Sequence, residues 1–504
     1  MRTLSVLYCI IILVSCAFFT MPIVLHASDN TTKTELHEQD KLIVSHHRIA
    51  AKGKRLNYTT TAGWLILKND GGQPRAKIFF IAYEKKEEHK QQRSITFAFN
   101  GGPGSSSVWL HMGALGPRRV KLYPDGTAPP PPAVVSDNDH TWLSFTDLVF
   151  VDPVGTGYSR GVDDKKEREF FDFKQDIASV GDFIRLWLTR FERWQSPVYL
   201  AGESYGTTRA VGLIDYLHRQ HGIVLSGIIL ISPVLDFTTI SFSPSNELPY
   251  LLYLPTYAAA AWHHKQAHHD TSLAQVLSRV EQWAVTDYVT ILARGRALEE
   301  RERQTTALHI SAFAGLTPDY VIKNNLRIMP GRFRKELLRK QGVVIGRMDA
   351  RITMPDTDTA AETATADPSL ERLVGIFAGA VNGYIRNELR FDDDLPYTYL
   401  NYEANKAWNW QSGIGMQQGY ISLSQDLADA MHLHNHLRVF VAAGYYDLAT
   451  PYFAARYTID HLPLEESRRR AIELHCYPGG HMMYTDPLLL QQLTADVEEF
   501  YRRK

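Results

Sequence analysis

Pro197-Val198-Tyr199-Leu200-Ala201-Gly202-Glu203-Ser204-Tyr205-Gly206 is the stretch whose reading decides the fold. Its first four residues have the character of a β-strand. In residues 207–219, Val211, Leu213, Ile214 and Leu217 recur at roughly helical spacing. Between strand and helix, Gly202, Ser204 and Gly206 fill the pattern Gly-x-Ser-x-Gly. A turn this sharp strains the serine backbone and presents the hydroxyl as a nucleophile, while the glycines keep side chains out of the bend. The bare pattern also arises by chance; the flanking strand and helix are what favour catalysis.

Working back from the elbow, Ser94-Ile95-Thr96-Phe97-Ala98-Phe99 reads as a strand that runs into Asn100-Gly101-Gly102-Pro103-Gly104. Consecutive glycines bring backbone N–H groups close to a ligand, so this loop is either an ordinary turn or an anion or oxyanion site. It lacks the Lys-Ser/Thr ending of a phosphate loop, which argues against nucleotide. It stands where hydrolases with a nucleophile elbow take their second oxyanion donor. Asp147-Leu148-Val149-Phe150-Val151-Asp152 reads as a strand buried on both faces. Residues 172–194 keep a helical stripe through Phe173, Ile177, Val180, Ile184, Trp187, Leu188 and Phe191. Residues 56–68 and 76–83 are expected to pair as a hairpin across Asn69-Asp70-Gly71-Gly72.

Beyond the elbow, a strand at 227–232 is followed by a change of rhythm. Residues 241–400 are mostly helical in pattern and read as a cap inserted over the sheet's active edge. Within them, 356–367 is a low-complexity Asp/Thr/Ala run expected to be a mobile loop. His263, His264, His268 and His269 share a segment, but no acidic or thiol ligands accompany them, so surface histidines are the better reading than a metal site. The α/β rhythm returns at 437–443, ending in Gly444-Tyr445-Tyr446-Asp447, and at 473–477, ending in Gly479-Gly480-His481. Strands alternating with amphipathic helices predict an α/β fold, a mostly parallel, doubly wound sheet with a helical cap insertion. Asp447 alone is explicable as a helix cap, and His481 as a loop hydrogen-bonder. The order Ser204, Asp447, His481, each after a strand, is that of the α/β-hydrolase triad.

With these residues in hand, the chain resembles the serine carboxypeptidases of the yeast and plant type. The likeness rests on Asn100-Gly101-Gly102-Pro103-Gly104, Gly202-Glu203-Ser204-Tyr205-Gly206, Gly444 to Asp447, and Gly480-His481-Met482, which span most of the chain beyond its N-terminus. The resemblance implies the α/β-hydrolase fold, no cofactor, no metal, and peptide or protein C-termini as substrate. It implies that Ser204 is acylated, that His481 is base and then acid, and that Asp447 orients the imidazole. The N–H groups of Gly102 and Tyr205 would form the oxyanion hole, each donor worth about 3 kcal/mol. Asn100, Gly101 and Glu203 match the positions that hold the substrate carboxylate, where a carboxylic acid donates only while protonated. Two positions depart from the family: Ala98 stands where a tryptophan is usual, and Ala114, before Leu115-Gly116-Pro117, where a second glutamate is usual. Half of the acid pair is therefore absent.

With 504 residues the chain is long enough for one large domain with an insertion or for two domains. The boundaries expected are a leader at 1–27, a flexible linker at 28–41, hydrolase core at 42–240 and 401–504, and the cap between them. Lys+Arg number 54 and Asp+Glu 55, so no global charge favours nucleic acid or an anionic membrane. Residues 4–25 are largely apolar behind Arg2 and read as a cleaved signal peptide, a lipobox with Cys16 as the acylated residue, or an uncleaved anchor. All three export the remainder to a periplasm or the outside, with a membrane met only through such an anchor. Of three cysteines only Cys476 lies beyond the leader. No disulfide is then available within the body, which suits a bacterial envelope or secreted protein better than a eukaryotic secretory one. The rival functions are an esterase or carboxypeptidase-like acyltransferase on the same triad and, more remotely, a non-catalytic binding protein on this fold.

Overall fold

The computed structural model describes residues 39–87, 92–410 and 420–503. The expected leader, 1–27, and nearly all of the linker, 28–41, lie outside the described residues. Among those described, no helix is long and apolar enough to cross a membrane.

Among the described residues ten strands form one sheet, nine of them in a continuous row: β1 (Lys41–Ala51), β2 (Lys54–Lys68), β3 (Pro74–Lys85), β4 (Ile95–Phe99), β5 (Asp147–Val151), β6 (Val198–Glu203), β7 (Gly227–Ile231), β8 (Arg438–Gly444) and β9 (Ile472–Tyr477). Their order is β1-β2-β3-β5-β4-β6-β7-β8-β9, with the short strand Arg160–Gly161 pairing off β3. The first three and the β3–β5 contact are antiparallel; from β5 to β9 every neighbour is parallel. The β2–β3 hairpin turns at Asn69, whose N–H and C=O bond to Gln73 and Gly72. β1 was not anticipated from the sequence. It is an outer strand with alternating exposure, and a two-residue turn at Lys52 and Gly53, both with positive φ, returns it into β2.

Parallel register aligns the carboxyl ends: Phe99 faces Gly202, Glu203 faces Ile231, Ile231 faces Ala442, and Gly444 faces Tyr477. The loops that begin at Asn100, Ser204, Tyr445 and Pro478 therefore leave along one edge. That edge is where open α/β sheets bind ligands.

The helices that matter here are α1 (Phe173–Arg190), α2 (Tyr205–His221), α3 (Leu248–His263), α4 (Pro330–Glu336), α5 (Pro368–Asn387) and α6 (Pro487–Arg502). Asp172 caps α1 by accepting from the N–H groups of Lys174 and Gln175. α1 and α2 cover one sheet face, with Phe183, Trp187, Leu213 and Leu217 on Phe97, Leu200 and Leu230. α5 and α6 cover the other, with Phe377, Val381 and Leu493 on Phe150, Ile229 and Phe440. Of the stretch 241–400, the part around Leu252, Tyr257, Ile310 and Phe333 has an apolar cluster of its own, which meets the sheet edge at Ala443 and Tyr446. α5 instead belongs to the sheet, because Leu373, Phe377, Val381 and Tyr384 make a stripe matched to that face. The run 356–367, expected to be mobile, is held by basic residues of α4 and just beyond: Lys335 Nζ bonds Asp356 at 2.7 Å, and Arg339 bonds the carbonyls of Thr359 and Ala361 at 2.6 and 3.1 Å. His263 and His264 end α3, and His264 bonds Ala350 O at 2.7 Å. No metal-binding group of three side chains occurs among the described residues.

Candidate active site

β6 delivers Ser204 to the carboxyl edge with φ 59° and ψ −129°, and α2 starts at the next residue. For a residue other than glycine this geometry costs about 1–3 kcal/mol, and it is held by the hydrogen bond from Ser204 N to Ile231 O at 3.0 Å. A Cβ on Gly202 would stand 2.2 Å from Gly206 O, so only glycine lets the helix fold back over the strand. Gly101 is pressed on the elbow in the same way: a Cβ there would lie 2.5 Å from Tyr205 N. The loop 100–104 is thereby docked against Ser204, and among the described residues the N–H groups of Gly102 and Tyr205 have no protein acceptor. Two free donors beside a strained serine are suited to receiving a developing oxyanion.

His481 is buried after β9. Its Nδ1 lies 2.7 Å from Asp447 Oδ2. Asp447 is fully buried and saturated: Oδ1 accepts from Ala449 N at 2.7 Å and Thr450 N at 3.0 Å, while Oδ2 also accepts from Thr450 Oγ1 at 2.9 Å. The backbone of His481 is pinned as well, N–H to Met348 O at 2.6 Å and C=O from Ser232 Oγ at 2.7 Å. Burial drives the imidazole downward, but the charge and hydrogen bond of Asp447 outweigh it and the ring ends above its ordinary 6.5. Among the described residues neither Ser204 Oγ nor His481 Nε2 makes a hydrogen bond, the ring being held through Nδ1.

Asn100, Gly101 and Glu203 meet next to this pair. Asn100 is fixed from three sides: its Oδ1 accepts from Leu110 N at 3.0 Å, its carbonyl from Arg209 Nη1 at 2.6 Å, and its amide reaches Glu203. Glu203 Oε2 accepts from the Tyr484 hydroxyl at 2.6 Å. Burial pushes the Glu203 carboxyl up from 4.5 to about 7, against the opposing pull of His481, Tyr484 and Asn100. A neutral acid in this place can donate a hydrogen bond. Behind the loop, Arg209 pairs with Asp176 and reaches Asn100, tying α1, α2 and the β4 loop together.

The profile of the serine carboxypeptidase family matches residues 51–475. The chain belongs to the serine carboxypeptidase family. Among relatives, a "Carboxypeptidase Y homolog" of Arthroderma benhamiae is 32% identical over 167 residues, covering 32% of this chain and 31% of that protein. A "Pheromone-processing carboxypeptidase KEX1" of Tuber melanosporum is 29% identical over 189 residues, 35% of this chain and 26% of that protein. "Serine carboxypeptidase-like 26" of Arabidopsis thaliana is 25% identical over 214 residues, 40% and 42% of the two. Each alignment thus spans less than half of the curated relative. The crystal structure of a prohormone-processing carboxypeptidase of Saccharomyces cerevisiae shares the fold, with a TM-score of 0.56 at 16% identity over 88% of this chain and 91% of that one.

In this member of the serine carboxypeptidase family the eight residues singled out from sequence lie along one edge of the sheet. The structure adds Thr450, Tyr484, Arg209 and Asp176, for which no motif gave a signal. The site also has a measurable cost. The folded chain keeps a proton on Glu203 that the unfolded chain releases, so stability falls as the pH rises from about 4.5 to about 7. Glu203→Gln is expected to raise stability at about pH 8 by on the order of 3 kcal/mol and to bring no gain at about pH 4. Denaturant melts at the two pH values check this.

Proposed function

We propose that the chain is a serine-type carboxypeptidase that releases the last residue of peptides and proteins through an acyl-enzyme. Ser204 Oγ attacks the last peptide carbonyl, and His481 Nε2 takes its proton and passes it to the leaving amine. Asp447 holds the Nδ1 proton, and the N–H groups of Gly102 and Tyr205 receive the oxyanion. Water then attacks the ester with His481 as base. Asn100, Gly101 and Glu203 take the substrate's free carboxylate.

The observation that carries this reading is Glu203, a buried carboxyl raised to about 7 one residue from the nucleophile. A carboxylate bound there favours the protonated acid, so recognition weakens above that pH. The acid limb of the profile belongs to His481, which must be neutral to accept a proton; the alkaline limb belongs to Glu203. A substrate without a carboxylate lacks the second limb.

The test is release of the last residue from an N-blocked dipeptide, its C-terminal amide and a simple ester, with Ser204→Ala beside the parent, across about pH 5 to about pH 8, which spans the His481 and Glu203 limbs. Cleavage of the free acid well above the amide, lost in the variant, is expected. An untouched free acid with the ester hydrolysed through Ser204 would sink this reading in favour of an esterase or acyltransferase. Export by way of residues 1–27 goes with the reading, and N-terminal sequencing of the mature chain separates cleavage from anchoring.

A further inference from the structure

Glu203 stands where the family has one of two acids; at the place of the other, Ala114 offers no polar side-chain atom. Ala114 is buried within the turn His111–Leu115, and Asn138 Nδ2 clamps that turn by bonding Ala114 O at 2.7 Å and Gly116 O at 2.8 Å. The ring of Tyr484 lies on the same turn. A Cβ on Gly113 would stand 2.8 Å from Tyr484 Cε2, so the missing side chain at 113 makes room for the ring. Tyr484 is fully buried, and its hydroxyl donates to Glu203 Oε2 at 2.6 Å. Asn100 interacts with both groups.

A neutral carboxyl has one proton and two oxygens, so which oxygen donates depends on what occupies the other. We infer that Tyr484 is a positioning residue of the carboxylate subsite: its hydroxyl, donating to Glu203 Oε2, directs the Glu203 proton to Oε1, which donates to the substrate's terminal carboxylate. Tyr484 thereby does for Glu203 what a second acid would do, without itself titrating. Burial and the Glu203 charge push its phenol well above the ordinary 10, so it stays a donor throughout the working range. The inference rests on the carboxypeptidase reading above.

Tyr484→Phe removes the donor and keeps the ring against Gly113. The expected result is a rise of about tenfold in KM for a free-acid dipeptide, with kcat changed less than about threefold. The ratio of kcat/KM for the acid to that for an ester of the same acyl group falls by a similar factor. Tyr484 also pulls the Glu203 carboxyl down, so its loss moves the alkaline limb to higher pH. Equal losses on acid and ester, or an unmoved limb with an unmoved KM, overturn the inference. Should the variant not fold, the parent's profile decides: with one titrating donor, KM for the free acid climbs above about pH 7 with the slope of one proton. A two-proton slope overturns the inference. A parent that does not distinguish acid from amide instead defeats the carboxypeptidase reading itself.

Discussion

Asp447→Asn is expected to lower kcat by about 10⁴-fold while leaving KM within a few-fold, because the substitution fixes the wrong imidazole tautomer. The surroundings of Asp447 decide which way the amide turns. Oδ1 accepts two backbone N–H groups, from Ala449 and Thr450, neither of which can do without an acceptor. The asparagine carbonyl must therefore take that side, and its NH2 group falls where Oδ2 now meets His481 Nδ1 at 2.7 Å. Thr450 does not prevent this, since its hydroxyl proton has a second acceptor in Ser232 O at 2.9 Å and its oxygen can accept from the amide. Nδ1 then accepts, the ring proton moves to Nε2, and Nε2 cannot take the proton of Ser204. The acid limb should also shift down, since Asp447 is what holds the imidazole above its ordinary value. Steady-state kinetics on the N-blocked dipeptide check both effects, and a kcat loss below about tenfold would show that His481 is oriented by something else.

What the sequence disclosed and what it did not divide along the range of the contacts. Ser204, Asp447 and His481 were legible because each sits at the end of a strand, where a local turn and its glycines leave a mark within a few residues. The loop at 100–102, proposed to serve the oxyanion and the carboxylate, carries its glycines next to a strand end and stood out for the same reason. Tyr484 left no such mark: its partner Glu203 is 281 residues away, and nothing in Met482-Met483-Tyr484 says that the phenol points at an acid. Arg209 and Asp176 each look like a polar residue on an amphipathic helix, yet both are buried, because the two helices turn those faces towards each other under the site. The block 241–400 reads as one insertion by composition, but α5 packs with the sheet, and only its apolar partners on β5 and β7 reveal this. The edge strand β1 was missed because exposure leaves its alternation shallow; the Lys52-Gly53 turn was its one usable signal.

Arg209→Met is expected to cost about 3–5 kcal/mol of stability and to damage the site as well, because one guanidinium serves both. Arg209 is fully buried, with Nε 2.8 Å from Asp176 Oδ2 and Nη1 2.6 Å from Asn100 O. Its plane lies over the rings of Phe99 and Tyr205, 5.2 and 5.3 Å from their centroids, so methionine keeps part of the packing and the loss is mainly electrostatic. Asp176 would be left with the Tyr205 hydroxyl at 3.2 Å as its neutral donor. Burial already raises the Asp176 carboxyl, and Arg209 is the chief force opposing that rise. Without it, Asp176 keeps its proton in the folded state to higher pH. The penalty is then full above the folded pKa and vanishes below the unfolded value of 3.8, so the variant should be least impaired in acid. Adding Asp176→Leu should recover part of the loss at neutral pH, since the unpaired charge goes with it. The functional loss should not recover in the double variant: the Asn100 carbonyl still lacks its anchor, and the loop that bears Asn100, Gly101 and Gly102 is held by one contact fewer. A displacement of about 1 Å there costs up to about 10²-fold in rate. Denaturant melts at about pH 4 and about pH 7.5, with kcat/KM on the folded fraction, separate the two effects. A variant whose stability loss is the same at both pH values would mean that Asp176 is not the group left uncompensated.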